Sequence, residues 1–181
     1  MADRVPGRVA VLAPGGGYGV DGPLLMFSSV AAHRRGAAVR RLTWDFERRG
    51  GLPAMVAATV EAALDEEAPG DAVVFGKSLG SMAAPVVAER GLAAVWFTPL
   101  LTDPAVAAAL RESAGLCLLA GGTADDYWDG QVARSITPHV VEVDGADHRM
   151  FVPGALAASA AVLGDVMTAV ERFLDEVAWR A

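Results

Sequence analysis

Cysteine is close to absent. Cys117 stands alone among 181 residues, so no internal disulfide can form and no secreted, cross-linked framework is implied. Its place inside an apolar run reads as a small buried hydrophobe rather than a reactive thiol. Long hydrophobic runs are missing as well. The longest near the carboxyl end, Gly154 to Gly164, is interrupted at Asp165 and is too short to cross a bilayer. The opening Met-Ala-Asp-Arg-Val-Pro6 has no signal-peptide pattern, and the expectation is a soluble cytoplasmic protein. Positive charge is in deficit, with a net charge of −7 and a pI near 4.9. The arginine pairs Arg34-Arg35, Arg40-Arg41 and Arg48-Arg49 are scattered, which argues against nucleic acid or an anionic membrane as partner. Repeats, low-complexity tracts and linkers are lacking too. Residues 1–181 therefore read as one domain, long enough to bury a sizeable core.

Apolar residues and glycine are plentiful, and their order is informative. Six apolar runs alternate with helical patterns: Arg8 to Ala13, Ala38 to Trp44, Ala72 to Phe75, Leu92 to Thr98, Gly115 to Gly121 and His139 to Val143. The arginines of the second run suggest an edge strand. Helices are expected over Leu24 to Arg35 with Pro23 at its start, and over Leu52 to Glu67, where Met55, Val56, Val60, Ala63 and Leu64 recur at helical spacing. A turn at Pro69-Gly70-Asp71 leads into the third strand. A helix to about Arg90, weakened or kinked by Pro85, follows it. The last helix, Ala155 to Trp179, carries Leu163, Val166, Met167, Val170, Phe173, Leu174 and Val177 on one stripe. Alternating strands and helices imply a mostly parallel, doubly wound sheet with helices on both faces. Function in such sheets gathers beyond the carboxyl ends of the strands.

One of those ends carries a recognisable turn. Gly76-Lys77-Ser78-Leu79-Gly80 follows an apolar β-branched run and precedes small residues, the setting of a nucleophile elbow. Such a turn strains the backbone at the serine, and side chains at the flanking glycines would collide with it. It lifts the Ser78 hydroxyl clear of the sheet and aims the Leu79 amide at an oxyanion. Lys77 is expected to be exposed and without a role.

A serine needs a base, and the base an orienting acid. His33 falls near the end of the first helix beside two arginines and is expected in solvent. His139 opens the sixth strand, at the wrong edge of the sheet. His148 follows that strand, in the loop Asp144-Gly-Ala-Asp-His-Arg-Met150, and is the expected base. For the acid, Asp125 follows the fifth strand most closely and is the choice, with Asp126 in reserve. Asp129 suits the cap of a following short helix, and Asp147 is expected to be solvated. The order Ser78, Asp125, His148 is the one this fold requires.

With these residues, nearly the whole chain resembles the small capless α/β-hydrolases. The likeness rests on Gly76-Lys-Ser-Leu-Gly80, Gly122-Thr-Ala-Asp125 and Gly145-Ala-Asp-His148. The resemblance implies six strands in the order 2-1-3-4-5-6, without the two leading antiparallel strands of larger relatives. It implies a Ser-His-Asp acyl transfer with no metal or organic cofactor. The second oxyanion amide would come from the loop after the first strand, where Pro14-Gly15 stands in place of the His-Gly of many relatives. Gly16 would supply it by position, with Gly17 as the alternative. Tyr18, Thr98, Trp128 and Met150, together with Leu100, Leu101 and Phe151, fall in loops at the functional edge and are candidates for substrate contact. The expected partner is a small acyl compound, an ester before a thioester, lactone or amide. The oligomeric state is not read from the sequence.

Two other readings compete. Gly17-Tyr-Gly19-Val-Asp-Gly22 is a G-x-G-x-x-G after a strand, with Asp45 about twenty residues on, the outline of a dinucleotide fingerprint. Against it, three residues separate Ala13 from Gly17, and the elbow, Asp125 and His148 go unexplained. The other is a hydrolase-like binding or scaffold protein without turnover, since fold does not dictate function.

Overall fold

The computed structural model describes residues 4–47, 51–67, 71–113 and 116–180. Its strands are built from small and β-branched apolar residues, the composition of a sheet covered on both faces. They are β1 (Arg8–Ala13), β2 (Ala38–Arg41), β3 (Asp71–Lys77), β4 (Ala93–Phe97), β5 (Cys117–Gly122) and β6 (Val140–Val143). All pair in parallel in the order β2-β1-β3-β4-β5-β6, with β2 at one edge as its arginines suggest. The helices are α1 (Pro23–Arg34), α2 (Gly51–Glu67), α3 (Ala84–Glu89), α4 (Pro104–Glu112), α5 (Gly130–Ile136) and α6 (Leu156–Phe173).

Alternation along each strand divides the core in two. Val9, Val11, Val74, Trp96 and Leu119 pack with α2, α3, α4 and α5 on one face. Leu12, Val73, Phe75, Val95 and Phe97 meet α1 and α6 on the other. The registers Ala13↔Gly76, Lys77↔Phe97 and Gly122↔Val143 bring the carboxyl ends of the central strands to one rim.

Several boundaries differ from expectation for local reasons. β2 stops at Arg41 rather than Trp44. Trp44 instead folds over the loop after β1, its indole N–H donating to Pro14 O at 3.1 Å. The stretch after Ser78 is first a 3-10 helix, Ser78–Ala83, and Pro85 lies in the first turn of the α-helix that follows. There its missing N–H costs nothing, so it starts a helix instead of kinking one. β5 runs on through Gly122, and α6 gives way at Leu174 to a wider π-helical turn ending at Ala178. The Arg48-Arg49 pair, the expected turn at Pro69-Gly70 and Gly115 of the fifth run lie outside the described residues. Among the described residues no helix is long and apolar enough to cross a membrane.

Candidate active site

The elbow is built as its glycines require. Ser78 has φ +49°, in the left-handed region that non-glycine residues rarely occupy. A Cβ on Gly76 would lie 2.3 Å from the ring of Trp96, and one on Gly80 would lie 2.3 Å from Ala13 O. Both sites exclude any side chain, so the turn sits tightly on β4 and β1. Ser81 fastens it further, its hydroxyl donating to Ser78 O at 2.7 Å and accepting from Leu100 N at 3.1 Å. Thr98 (φ +42°) and Met150 (φ +64°) are the other non-glycine residues in this region among those described. All three follow the carboxyl ends of strands, where functional strain tends to collect.

Ser78, His148 and Asp125 form one hydrogen-bonded chain. His148 Nε2 lies 2.7 Å from Ser78 Oγ, and His148 Nδ1 lies 2.8 Å from Asp125 Oδ2. The Asp125 side chain is fully buried, whereas a third of the His148 side chain is exposed. Asp125 Oδ1 accepts from Tyr127 N at 3.0 Å, so both carboxylate oxygens are engaged. The loops after β5 and β6 are tied to each other. Thr123 Oγ1 donates to Asp144 at 3.0 Å and accepts from Gly145 N at 2.7 Å, and Ala124 N donates to Ala146 O at 3.0 Å. A Cβ on Gly122 would lie 2.1 Å from Ala146 O, so a glycine permits that approach.

The other acidic and histidine candidates fall elsewhere. Asp126 is exposed and outside the chain of three. Asp129 caps α5, accepting from Gln131 N and Val132 N. Asp147 is exposed, yet it shapes the histidine loop by accepting from Arg149 N at 2.8 Å and Phe151 N at 2.9 Å. His33 is exposed at the end of α1, and His139 packs edge-on against Phe173 with ring centroids 5.5 Å apart. Burial raises the Cys117 thiol to about 12, leaving it protonated and inert.

On the opposite side of Ser78, the loop after β1 lies against the elbow. Gly15 N is committed to Tyr18 O at 2.9 Å. Gly16 abuts Leu79, since a Cβ on Gly16 would lie 3.8 Å from Leu79 Cδ2, whereas one on Gly17 would have nothing within 4 Å. The glycines of the dinucleotide outline sit in different settings in this loop. Gly17 and Gly19 face open space, Gly22 is small because the Tyr18 ring lies on it, and Asp45 is exposed beyond the end of β2.

Of the four residues proposed for substrate contact, two line a cleft and two do not. Tyr18 and Met150 border a cleft of about 260 Å³ with Leu24, Phe151, Leu156 and Leu163. Trp128 is packed into the core against Gly121, its indole N–H donating to Glu142 at 2.8 Å, which holds that carboxyl below its usual range. Thr98 is 0 % exposed and offers a ligand no surface. Both corrections have one cause: a loop residue beside a functional edge can point into the sheet as easily as out of it.

Two residues gain importance from the structure alone. Tyr127 is half-exposed, with its ring 5.2 Å from that of His148. Lys77, expected in solvent, is 1 % exposed. Alternation along β3 sends its side chain to the face of Phe75, and the loop after β1 closes over it. Its ammonium lies 5.3 Å from the centre of the Tyr18 ring. Burial, the larger influence, lowers the lysine to about 8, while Asp125 and Asp147 draw it upward and Arg149 opposes them.

No protein-family model matches the chain, and no curated protein matches it. Solved structures do. A serine hydrolase homologue from Coxiella burnetii is 14% identical, with 97% of this chain and 88% of that one covered, at a TM-score of 0.72. A serine hydrolase without a lid from Xanthomonas campestris is 14% identical over 99% and 86% of the two chains, at 0.68. The esterase domain of a Rhodothermus marinus protein is 17% identical over 94% and 90%, at 0.62. At such identities the likeness is one of architecture, and the chain has the α/β-hydrolase fold.

Proposed function

We propose that the protein is a serine hydrolase that cleaves a carboxylic ester or related acyl compound. The unbroken hydrogen-bonded chain from Ser78 through His148 to buried Asp125 carries the reading. In this mechanism His148 takes the Ser78 proton as the hydroxyl attacks the acyl carbonyl, and Asp125 holds the imidazole in the tautomer whose Nε2 is free to accept. The amides of Leu79 and Gly16 receive the charge on the tetrahedral oxygen; the contact between these residues favours Gly16 over Gly17. Collapse expels the alcohol with the proton from His148. The acyl-enzyme is then hydrolysed by water activated through the same base.

The cleft beside Tyr18, Met150 and Phe151 is lined chiefly by apolar side chains and supports an apolar acyl or alcohol group as its occupant. A fluorophosphonate probe tests the reading. It should label the native protein at Ser78 and leave Ser78→Ala unlabelled. Folded native protein that resists the probe would instead support a binding or scaffold role.

A further inference from the structure

Lys77 is an expensive residue to place where it is. A cation taken out of water needs a partner charge and satisfied hydrogen bonds, and an apolar side chain of the same length would fill the space without that cost. Among the described residues its ammonium makes no ion pair, and it lies 5.3 Å from the centre of the Tyr18 ring. The charge is nevertheless central to the site. Lys77 immediately precedes Ser78, and Gly15 of the loop after β1 rests on it: a Cβ built there would lie 3.6 Å from Lys77 Cγ. Tyr18 faces it from that same loop. Asp125 acts on it from the loop after β5, and Asp147 and Arg149, which flank His148, act from the loop after β6.

We infer that the Lys77 ammonium is a positioning charge for the Ser78 site, seating the loop that carries Gly16 and adding positive potential where the oxyanion forms. This rests on the reading of Ser78 as nucleophile. A positive charge here favours the tetrahedral oxyanion. Loss of the Lys77 proton therefore weakens oxyanion stabilisation. The working form is the charged one, and burial brings its loss of charge to about pH 8.

The test is the pH dependence of kcat and KM for a short p-nitrophenyl ester in wild type, Lys77→Met and Lys77→Arg. Wild-type kcat should decline as pH rises through about 8. Lys77→Met should have kcat about tenfold lower at neutral pH with KM little changed, a smaller loss than removal of a direct oxyanion donor. Its alkaline decline should vanish. Lys77→Arg keeps the charge and should hold its rate on the alkaline side. A Lys77→Met enzyme with wild-type kcat and the wild-type alkaline decline overturns the inference. If that variant does not fold, the wild type decides: a fluorophosphonate labelling rate that stays flat from about pH 7 to about pH 10 also overturns it. Ser78→Ala separates the two levels. Hydrolysis that survives it defeats the nucleophile reading, whereas an inert Ser78→Ala beside an unperturbed Lys77→Met defeats only the role of Lys77.

Discussion

At the scale of single residues, the site depends on positions where one atom more is too many. Gly80→Ala would drive a methyl group into Ala13 O, and Ala13 is held in the β1–β3 ladder opposite Gly76. Overpacking of this kind costs about 1–3 kcal/mol or more, so guanidinium unfolding of Gly80→Ala should show a loss at the upper end of that range. Gly17→Ala, with nothing within 4 Å of the new methyl, should unfold like wild type. The acid is tested in the same way. In a triad, Asn in place of Asp favours the wrong imidazole tautomer, so Asp125→Asn should lose about four orders of magnitude in kcat while staying folded. Asp126→Asn should hydrolyse at close to the wild-type rate, and equal losses in the two variants would move the acid assignment.

These residues also mark how far the sequence could be read. Ser78, Asp125 and His148 were legible because each follows the end of a strand, and parallel topology collects such ends on one rim. Lys77 was not legible as a buried group. Strand alternation gives the face its side chain takes, but the cover comes from the loop after β1, some sixty residues earlier in the chain. Thr98 and Trp128 were misplaced because a residue in the loop after a strand carries no local signal for rim or core.

At the scale of elements, the geometry of the proposed triad rests on the union of two loops. The Thr123 hydroxyl joins the Asp125 loop to the His148 loop through Asp144 and Gly145. Thr123→Val removes that joint at an exposed site, where little burial is lost. A small displacement of reacting groups can cost up to about a hundredfold in rate. The expectation is therefore a kcat reduced about tenfold or more with a melting temperature within a few degrees of wild type, measured by steady-state kinetics and thermal denaturation. A variant equal to wild type in rate would assign the alignment to the backbone bonds alone. Helix and strand identity was readable from periodicity, whereas boundaries depended on partners the sequence does not name. β2 ends where Trp44 leaves to cover Pro14, and Pro85 begins a helix because a 3-10 turn precedes it.

At the scale of the whole molecule, the buried lysine sets activity against stability. Between about 8 and 10.5 the unfolded chain keeps a proton that the folded chain has released, so stability from this group rises with pH across that window. Below it the fold bears the full penalty of the buried charge, about 3 kcal/mol for that difference. Lys77→Met should accordingly melt higher than wild type at neutral pH, and the advantage should shrink as pH climbs towards 10.5. Melting curves at several pH values measure this, and a constant gap would locate the gain in packing instead.

The seam at the opposite end of β3 has its own consequence. Trp179 is buried, its indole N–H donating to Asp71 O at 3.3 Å with the Arg8 guanidinium 5.1 Å above its ring. Asp71 opens the strand whose last residue adjoins Ser78. Trp179 therefore works as a rivet at the foot of the rod that carries the Ser78 hydroxyl at its head. Removing this indole would loosen the centre of the sheet from below, a disturbance that enters at the end of the strand farthest from Ser78.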